Sequence, residues 1–347
     1  MSTSNPFPCP ACGATATRPW YWKPADGEIS FPGVKPADVA GYQMVRCVGC
    51  GLGRVDPLPG DAELKELYAE DYFGGSDFSG GISDALVRYR RYSGPPALQA
   101  LRAANERAYE AAHAAHLGAW YGQLGGQAAP PRFLDVGCGA GGVLAAGKER
   151  GWRVVGVELS QAGAALTRRR GLNVINSGLA HAGLPDASFD IIHIREVLEH
   201  VVAPMAMLRE ARRLLTPGGM LYVQVPNDIE GYRARLFRRV WWLIPPLHVW
   251  YFTSDTLERM LRQVGLTARV TGTLGLGVGY DGYRYLAARA GVLAWLDAHE
   301  DGPAGLAPRS ARAAFRAAGA PADRALDRAR RHSSLWVCAT ATRTEEM

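Results

Sequence analysis

From Arg132 onward, short apolar runs alternate with stretches in which apolar residues recur at helical spacing. The runs predict strands at 132–136, 153–158, 173–176, 189–195, 220–225, 267–273 and 335–342. The helical stretches fall at 142–150, 160–171, 204–215 and 254–264, and Thr216-Pro217-Gly218-Gly219 reads as a tight turn feeding a strand. Such a βαβα series implies an α/β fold, a doubly wound, mostly parallel seven-stranded sheet. Upstream, Leu98, Leu101, Ala108, Tyr109, Ala112, Leu117, Trp120, Tyr121 and Leu124 predict a long helix from Pro96 to about Gly125. DAELKELYAEDYF (61–73) predicts a short helix, GGSDFSGG (74–81) a loop, and GGQAAPP (125–131) a boundary.

Residues 1–58 are different: rich in Pro, Gly, Cys and aromatics, without helical periodicity. The pattern divides the chain into a small module at 1–58, a helical linker or cap at 59–128, and an α/β domain at 129–347. Two insertions interrupt that domain, an aromatic one at 228–253 and an Ala- and Arg-rich one at 276–332. A length of 347 residues agrees with about two domains. With 48% apolar and 21% charged residues, the chain can bury a core without disulfides. Pro6, Pro8 and Cys9 stand where a secretory signal would be apolar, and Arg238, Arg239, Pro245 and Pro246 break the most apolar stretch. A cytoplasmic, reducing location is the expectation.

Four of the six cysteines form two C-x-x-C-G knuckles, CPACG at 9–13 and CVGCG at 47–51, with 34 residues between Cys12 and Cys47. Each knuckle points two thiolates at one ion, and its Gly permits the tight turn. Cys9, Cys12, Cys47 and Cys50 together would close a structural Zn²⁺ site with no open position. Disulfides or a redox dithiol are the competing reading. The module carries five Lys/Arg and four Asp/Glu. Four thiolates on Zn²⁺ bring it to about neutral, which suits a phosphate backbone poorly. The overall net charge of +6 comes from later segments, including seven Arg against four acids at 300–332.

RFLDVGCGAGG (132–142) reads as strand, glycine turn and helix. Gly137, Gly139 and Gly142 satisfy G-x-G-x-x-G, a string that alone also fits a dinucleotide site. Asp135 precedes the glycines, Glu158 ends the next strand 21 residues after Gly137, and FDIIHIREVLEHV (189–201) and LLTPGGMLYVQVPN (214–227) follow. With these motifs the chain resembles the class I S-adenosylmethionine-dependent methyltransferases, and within them the branch of the ubiquinone-type O-methyltransferases. The resemblance covers about 132–273. The pattern CPxCG…CxxCGL followed by ELYAEDYF is similar to methyltransferases that carry an N-terminal zinc ribbon.

The resemblance implies S-adenosylmethionine as cofactor and a Rossmann-like methyltransferase sheet. It assigns Gly137, Cys138, Gly139 and Gly141 to the turn at the methionine end, and Asp135 to its amino group. Glu158 would accept the ribose hydroxyls, Leu159 pack on adenine, and Leu179 stand at the adenine contact. The backbone carbonyl of Arg195 would lie near the methionine portion. Past the strand ends lie Glu196, Glu199, His200 and Asn227, where an acceptor would sit. His200 and His248 are the candidate general bases, with Glu196 beside them. Glu196, Glu199 and His200 could alternatively hold a divalent ion, although one helical turn supplies an incomplete ligand set.

The function these readings imply is methyl transfer, most readily to oxygen, on a small-molecule or glycan acceptor, lipophilic ones included. Segment 232–252, with four Arg, Trp241, Trp242, Trp250, Tyr251 and Phe252, reads as a lid packed on the core; the sharper readings are an apolar acceptor pocket or a peripheral membrane contact. Tyr68, Tyr72 and Phe73 are candidates to close over the cofactor. An RNA base methyltransferase and a non-catalytic scaffold of the same fold are the alternatives, and oligomeric state is not encoded legibly. The near-neutral N-terminal module argues against nucleic acid.

Overall fold

The computed structural model describes residues 7–20, 41–60, 63–64, 96–127, 129–227, 229–230, 248–274 and 334–341. Three short strands form the N-terminal module: β1 (Thr17–Pro19), β2 (Gln43–Cys47) and β3 (Gly53–Asp56), antiparallel in that order. After the long helix α1 (Pro96–Gln123) comes the alternating series. It runs β4 (Arg132–Val136), α2 (Gly142–Glu149), β5 (Arg153–Val157), α3 (Gln161–Arg169), β6 (Val174–Ile175) and β7 (Phe189–Arg195). It continues with α4 (Pro204–Leu214), β8 (Leu215–Pro226), β9 (Trp250–Tyr251), α5 (Ser254–Gln263), β10 (Leu266–Leu274) and β11 (Ser334–Ala341).

Seven strands make the large sheet, in the order β10-β11-β8-β7-β4-β5-β6. The pairs from β8 to β6 are parallel, and β11 runs antiparallel to both β8 and β10. The doubly wound sheet expected from the alternation is therefore present, with its reversal of strand order between β4 and β7. Crevices at such reversals, beyond the carboxyl ends of the strands, hold ligands.

Side chains alternate across this sheet as a strand's period of two requires. Leu134, Val136, Ile192, Ile194, Leu221 and Val223 enter one core, while Phe133, Ile191, Met220 and Cys338 enter the other under α1 and α2. Toward the strand ends the α1 side turns polar: Asp135 on β4 is in register with His193 on β7, and His193 with Tyr222 on β8.

Two sequence expectations shift. Of the residues whose spacing predicts α1, Ala108, Tyr109 and Ala112 are exposed, while Leu117 and Tyr121 are buried together with His113 and Ala114. The apolar face is rotated because a histidine, not a tyrosine, meets the polar band of the sheet. The turn at 216–219 lies within β8, where the pairing with β7 jumps from Phe189↔Leu215 to Ile191↔Met220 and Gly218 adopts φ +77°.

The described end of the aromatic segment, 248–253, packs into the core and also joins a sheet. Trp250, Tyr251 and Phe252 are buried, and β9 pairs antiparallel with β3 as the fourth strand of the N-terminal sheet. Cys9, Ala11, Met44, Leu52 and Val55 pack in the same core as Val136, Ile194 and Leu257. Gln263, at the end of α5, donates its amide to the carbonyls of Pro10 and Ala11 at 3.2 and 2.9 Å. Residues 232–247, Tyr68, Tyr72, Phe73 and the 276–332 insertion lie outside the described residues. Among the described residues no helix is long and apolar enough to cross a membrane.

Candidate functional site

The turn after β4 is built by backbone conformation. Gly137, Gly139 and Gly141 adopt φ of +70°, +55° and +76°, the left-handed region that favours glycine. A Cβ on Gly137 would stand 2.4 Å from Val197 Cγ2, so the position is closed to any side chain. The amides of Gly137 and Cys138 donate to the Val157 carbonyl at 2.7 and 3.2 Å, tying the turn to the end of β5. Gly141 caps α2 without a side-chain acceptor, so the first-turn amides of α2 keep their affinity for an anion. Asp135, which could have capped that helix, instead faces His193.

Glu158 follows β5 and is buried. Its Oε2 accepts the Gly139 amide at 2.7 Å and its Oε1 the Ser160 amide at 2.8 Å. Burial pushes its carboxyl up, opposed by the amides of Ser160 and Gly139. A carboxylate offers about four acceptor sites, so two remain for vicinal hydroxyls while the amides fix its direction. Leu159 beside it is 54% exposed, an apolar platform at the mouth of the crevice. Leu179 begins a 3₁₀ turn and buries its side chain in the core. Cys138 is buried, with Sγ 4.0 Å from Thr167 Oγ1, and Thr167 donates to the Gly139 carbonyl at 2.7 Å. These features fit the charged, hydroxylated and apolar parts of S-adenosylmethionine in order along one edge.

Past β7 the sequence-predicted residues separate. Glu196 has φ +54°, and its side chain turns to Gln224, whose Nε2 donates to Glu196 Oε1 at 3.0 Å. Glu199, His200 and His248 come together instead, with one ligand atom from each within 4.8 Å of the others. His200 Nε2 lies 3.6 Å from Glu199 Oε1, and the two imidazoles meet edge to face at 4.7 Å. Glu199 and His248 are buried and His200 partly exposed. Burial lowers His248 to about 4, so it is neutral at physiological pH. Asn227 is buried at the end of β8. The divalent-ion set read from the sequence thus changes membership, with Glu196 outside it and His248 inside; a carboxylate and two imidazoles suit such a cation.

In the N-terminal module the four thiols converge, with Cys9 Sγ 3.5 Å from Cys50 Sγ and Cys12 Sγ 3.5 Å from Cys47 Sγ. Disulfide sulfurs lie about 2.05 Å apart, so these are four free thiols. Ligands at about 2.3 Å around a tetrahedral Zn²⁺ stand roughly 3.8 Å apart, close to this spacing. Burial opposes the Cys47 thiolate, yet the Cys50 and Gly49 amides and Cys12 outweigh it and bring Cys47 down to about 7.

Residues 104–269 match the family described as a methyltransferase domain. That match spans just under half of the chain. The chain is 32% identical over 154 residues to a ubiquinone biosynthesis O-methyltransferase of Cereibacter sphaeroides (strain KD131 / KCTC 12085), covering 39% of this chain and 60% of that protein. With the protein of the same name from Azoarcus sp. (strain BH72) it shares 35% over 114 residues, 30% of this chain and 48% of that one. It therefore spans about half to three-fifths of the curated relatives it matches. Among solved structures, a putative sarcosine dimethylglycine methyltransferase from Galdieria sulphuraria aligns at 14% identity and TM-score 0.43, over 67% of this chain and 84% of that one.

Sequence reasoning missed Glu110, His113 and His193, which carry the polar contacts beneath the turn. A histidine inside the buried strand FDIIHIR, on the α1 side of the sheet, was the available signal.

Proposed function

We propose that the protein is a class I S-adenosylmethionine-dependent methyltransferase that moves a methyl group from S-adenosylmethionine to oxygen on a small-molecule or glycan acceptor, with structural Zn²⁺ on Cys9, Cys12, Cys47 and Cys50. The observation that carries this reading is Glu158, buried and aimed by two amides beside the glycine turn. The curated relatives in whose name O-methyl transfer appears support oxygen as the nucleophile, and the ubiquinone biosynthesis in that name suggests an apolar acceptor.

Bound along this edge, S-adenosylmethionine supplies a methyl group already activated on a sulfonium. The protein's work is alignment and proton management. Asp135 and the first turn of α2 hold the two charged ends of the methionine portion. Glu158 fixes the ribose and Leu159 covers the base. His200, the partly exposed imidazole, takes the acceptor's hydroxyl proton, and Glu199 at 3.6 Å balances the imidazolium that forms. Neutral His248 packs against His200 and sets its orientation. A divalent ion on Glu199, His200 and His248 is the second reading, carried by their 4.8 Å spacing.

Calorimetry with S-adenosylhomocysteine tests the cofactor assignment. Wild-type protein binds, and Glu158→Ala weakens binding at least tenfold, about 1.4 kcal/mol. Absence of heat with wild-type protein refutes the assignment.

A further inference from the structure

Helix α1 places Glu110 and His113 one turn apart, where i and i+3 share a face. His113 is buried, and its Nε2 lies 3.0 Å from His193 Nε2. His193 Nδ1 in turn lies 2.7 Å from Asp135 Oδ1. A line of three titratable groups thus runs from beneath the glycine turn to the helix. Glu110 holds Arg195 through two contacts of 3.0 and 3.3 Å, and the Arg195 guanidinium lies over the Tyr109 ring. Glu110 also stands 3.1 Å from where a Cβ on Gly142 would be, so α1 touches both the end of β7 and the start of α2.

Two imidazole nitrogens facing each other share a single proton. If His113 Nε2–H donates, His193 must carry its proton on Nδ1, and Asp135 accepts it as a carboxylate. If His193 carries its proton on Nε2, its bare Nδ1 requires Asp135 to donate as a carboxylic acid, and His113 then holds its proton on Nδ1. The chain has two self-consistent arrangements that differ by one proton. The groups that face Asp135 are Arg195 and His193 on β7 and Glu158 and Cys138 across the turn; Glu110 and His113 on α1 and Tyr222 on β8 face His193. Burial raises Asp135 to about 7, with Arg195 opposing; burial lowers His113 to about 2 and His193 well below its ordinary value. Both imidazoles are therefore neutral, and either arrangement is within reach near pH 7.

We propose that His113 and His193 are positioning residues for the cofactor: through this chain they ready Asp135 to become the carboxylate that meets the cofactor's ammonium group, so that docking of α1 is part of the cofactor site. The inference rests on the cofactor assignment made above. The proton balance is explicit. As the ammonium arrives, the Asp135 O–H proton passes to His193 Nδ1, the His193 Nε2 proton passes to His113 Nε2, and the His113 Nδ1 proton leaves to solvent. The carboxylate form is left with two protons where the acid form had three.

The test is calorimetry of the full chain with S-adenosylhomocysteine between pH 6 and 8, in two buffers of different ionisation heat. Wild-type protein is expected to release a fraction of a proton per ligand at pH 7, with affinity rising through about pH 7 and levelling above it. His113→Phe keeps a ring but removes both nitrogens. It is expected to lose about tenfold in affinity, one hydrogen bond's worth, and to change the proton count, while His113→Gln recovers part of both. Leu117→Ala, a packing change on the same helix, is expected to lower Tm and leave the proton count as in wild type. Binding heat independent of buffer in wild-type protein, or an unchanged proton count in His113→Phe, overturns the inference even where the variant's stability falls. If wild-type protein gives no binding at all, the cofactor assignment fails first, and the two failures are distinguishable.

Discussion

The Val249 amide donates to the Glu199 carbonyl at 2.7 Å, and the Val249 carbonyl accepts the Val55 amide at 3.0 Å. One residue thus joins β3 of the cysteine module to the turn that carries Glu199 and His200, with His248 as its neighbour. Trp250 adds a bond from its indole Nε1 to the Val201 carbonyl at 2.8 Å. The module is thus a wall of the Glu199–His200–His248 cluster, the proposed acceptor site.

On the proposed Zn²⁺ assignment, loss of the metal should therefore reach the chemistry. Cys47→Ser, or removal of Zn²⁺ by a chelator, is expected to lower Tm and raise the acceptor KM, because His248 and Glu199 lose their fixed spacing. Affinity for S-adenosylhomocysteine should change less than threefold, since the glycine turn and Glu158 lie on the large sheet. Zinc content of purified protein, with about one equivalent expected, accompanies the measurement; under half an equivalent with four free thiols counts against the site.

The two histidines should separate kinetically. His200→Ala is expected to reduce kcat by about 10²–10⁴, the range for loss of a general base, with cofactor affinity unchanged. His248→Ala, which removes a buried neutral imidazole, is expected to cost less in kcat and more in stability, about 1–3 kcal/mol. Equal, near-wild-type rates in both variants exclude either as the base. A rate lost on chelation and regained with Mg²⁺, zinc content being constant, favours the divalent-ion reading instead.

Much of this was legible in the sequence. Asp135, the glycines and Glu158 lie within one βαβ unit, where spacing along the chain and position in space coincide. The acceptor side was harder. Glu196 and Glu199 are chemically identical in EVLEH, and only the left-handed backbone at Glu196, which turns it toward Gln224, tells them apart. His113 and His193 are 80 residues apart, and β9 has two residues, too few for a period to register. Contacts of that kind are products of the tertiary fold.

Asp135 should show the cost of readiness. Burial pushes its carboxyl up to about 7, against about 3.9 in an unfolded chain. Between those values the folded state binds more protons, so this group's contribution makes stability fall as pH rises from about 4 to 7 and stay low above. Asp135→Asn removes that term. It is expected to raise stability at pH 8 by about 1–3 kcal/mol without ligand and to abolish S-adenosylhomocysteine binding. Denaturant titrations at pH 5 and pH 8 check the sign: the gain should be larger at pH 8.

The fourth strand of the cysteine module has a consequence for how the protein is made. β1, β2 and β3 leave the ribosome before Trp250 and Tyr251, which complete their sheet, and Gln263, which ties down Pro10 and Ala11; these follow about 200 residues later. At roughly 5–20 residues per second, that interval is about 10–40 s. Through it the nascent chain holds a half-finished sheet whose β3 edge awaits its partner. A metal already captured by the four thiols would keep that edge in shape until the rest of the chain arrives.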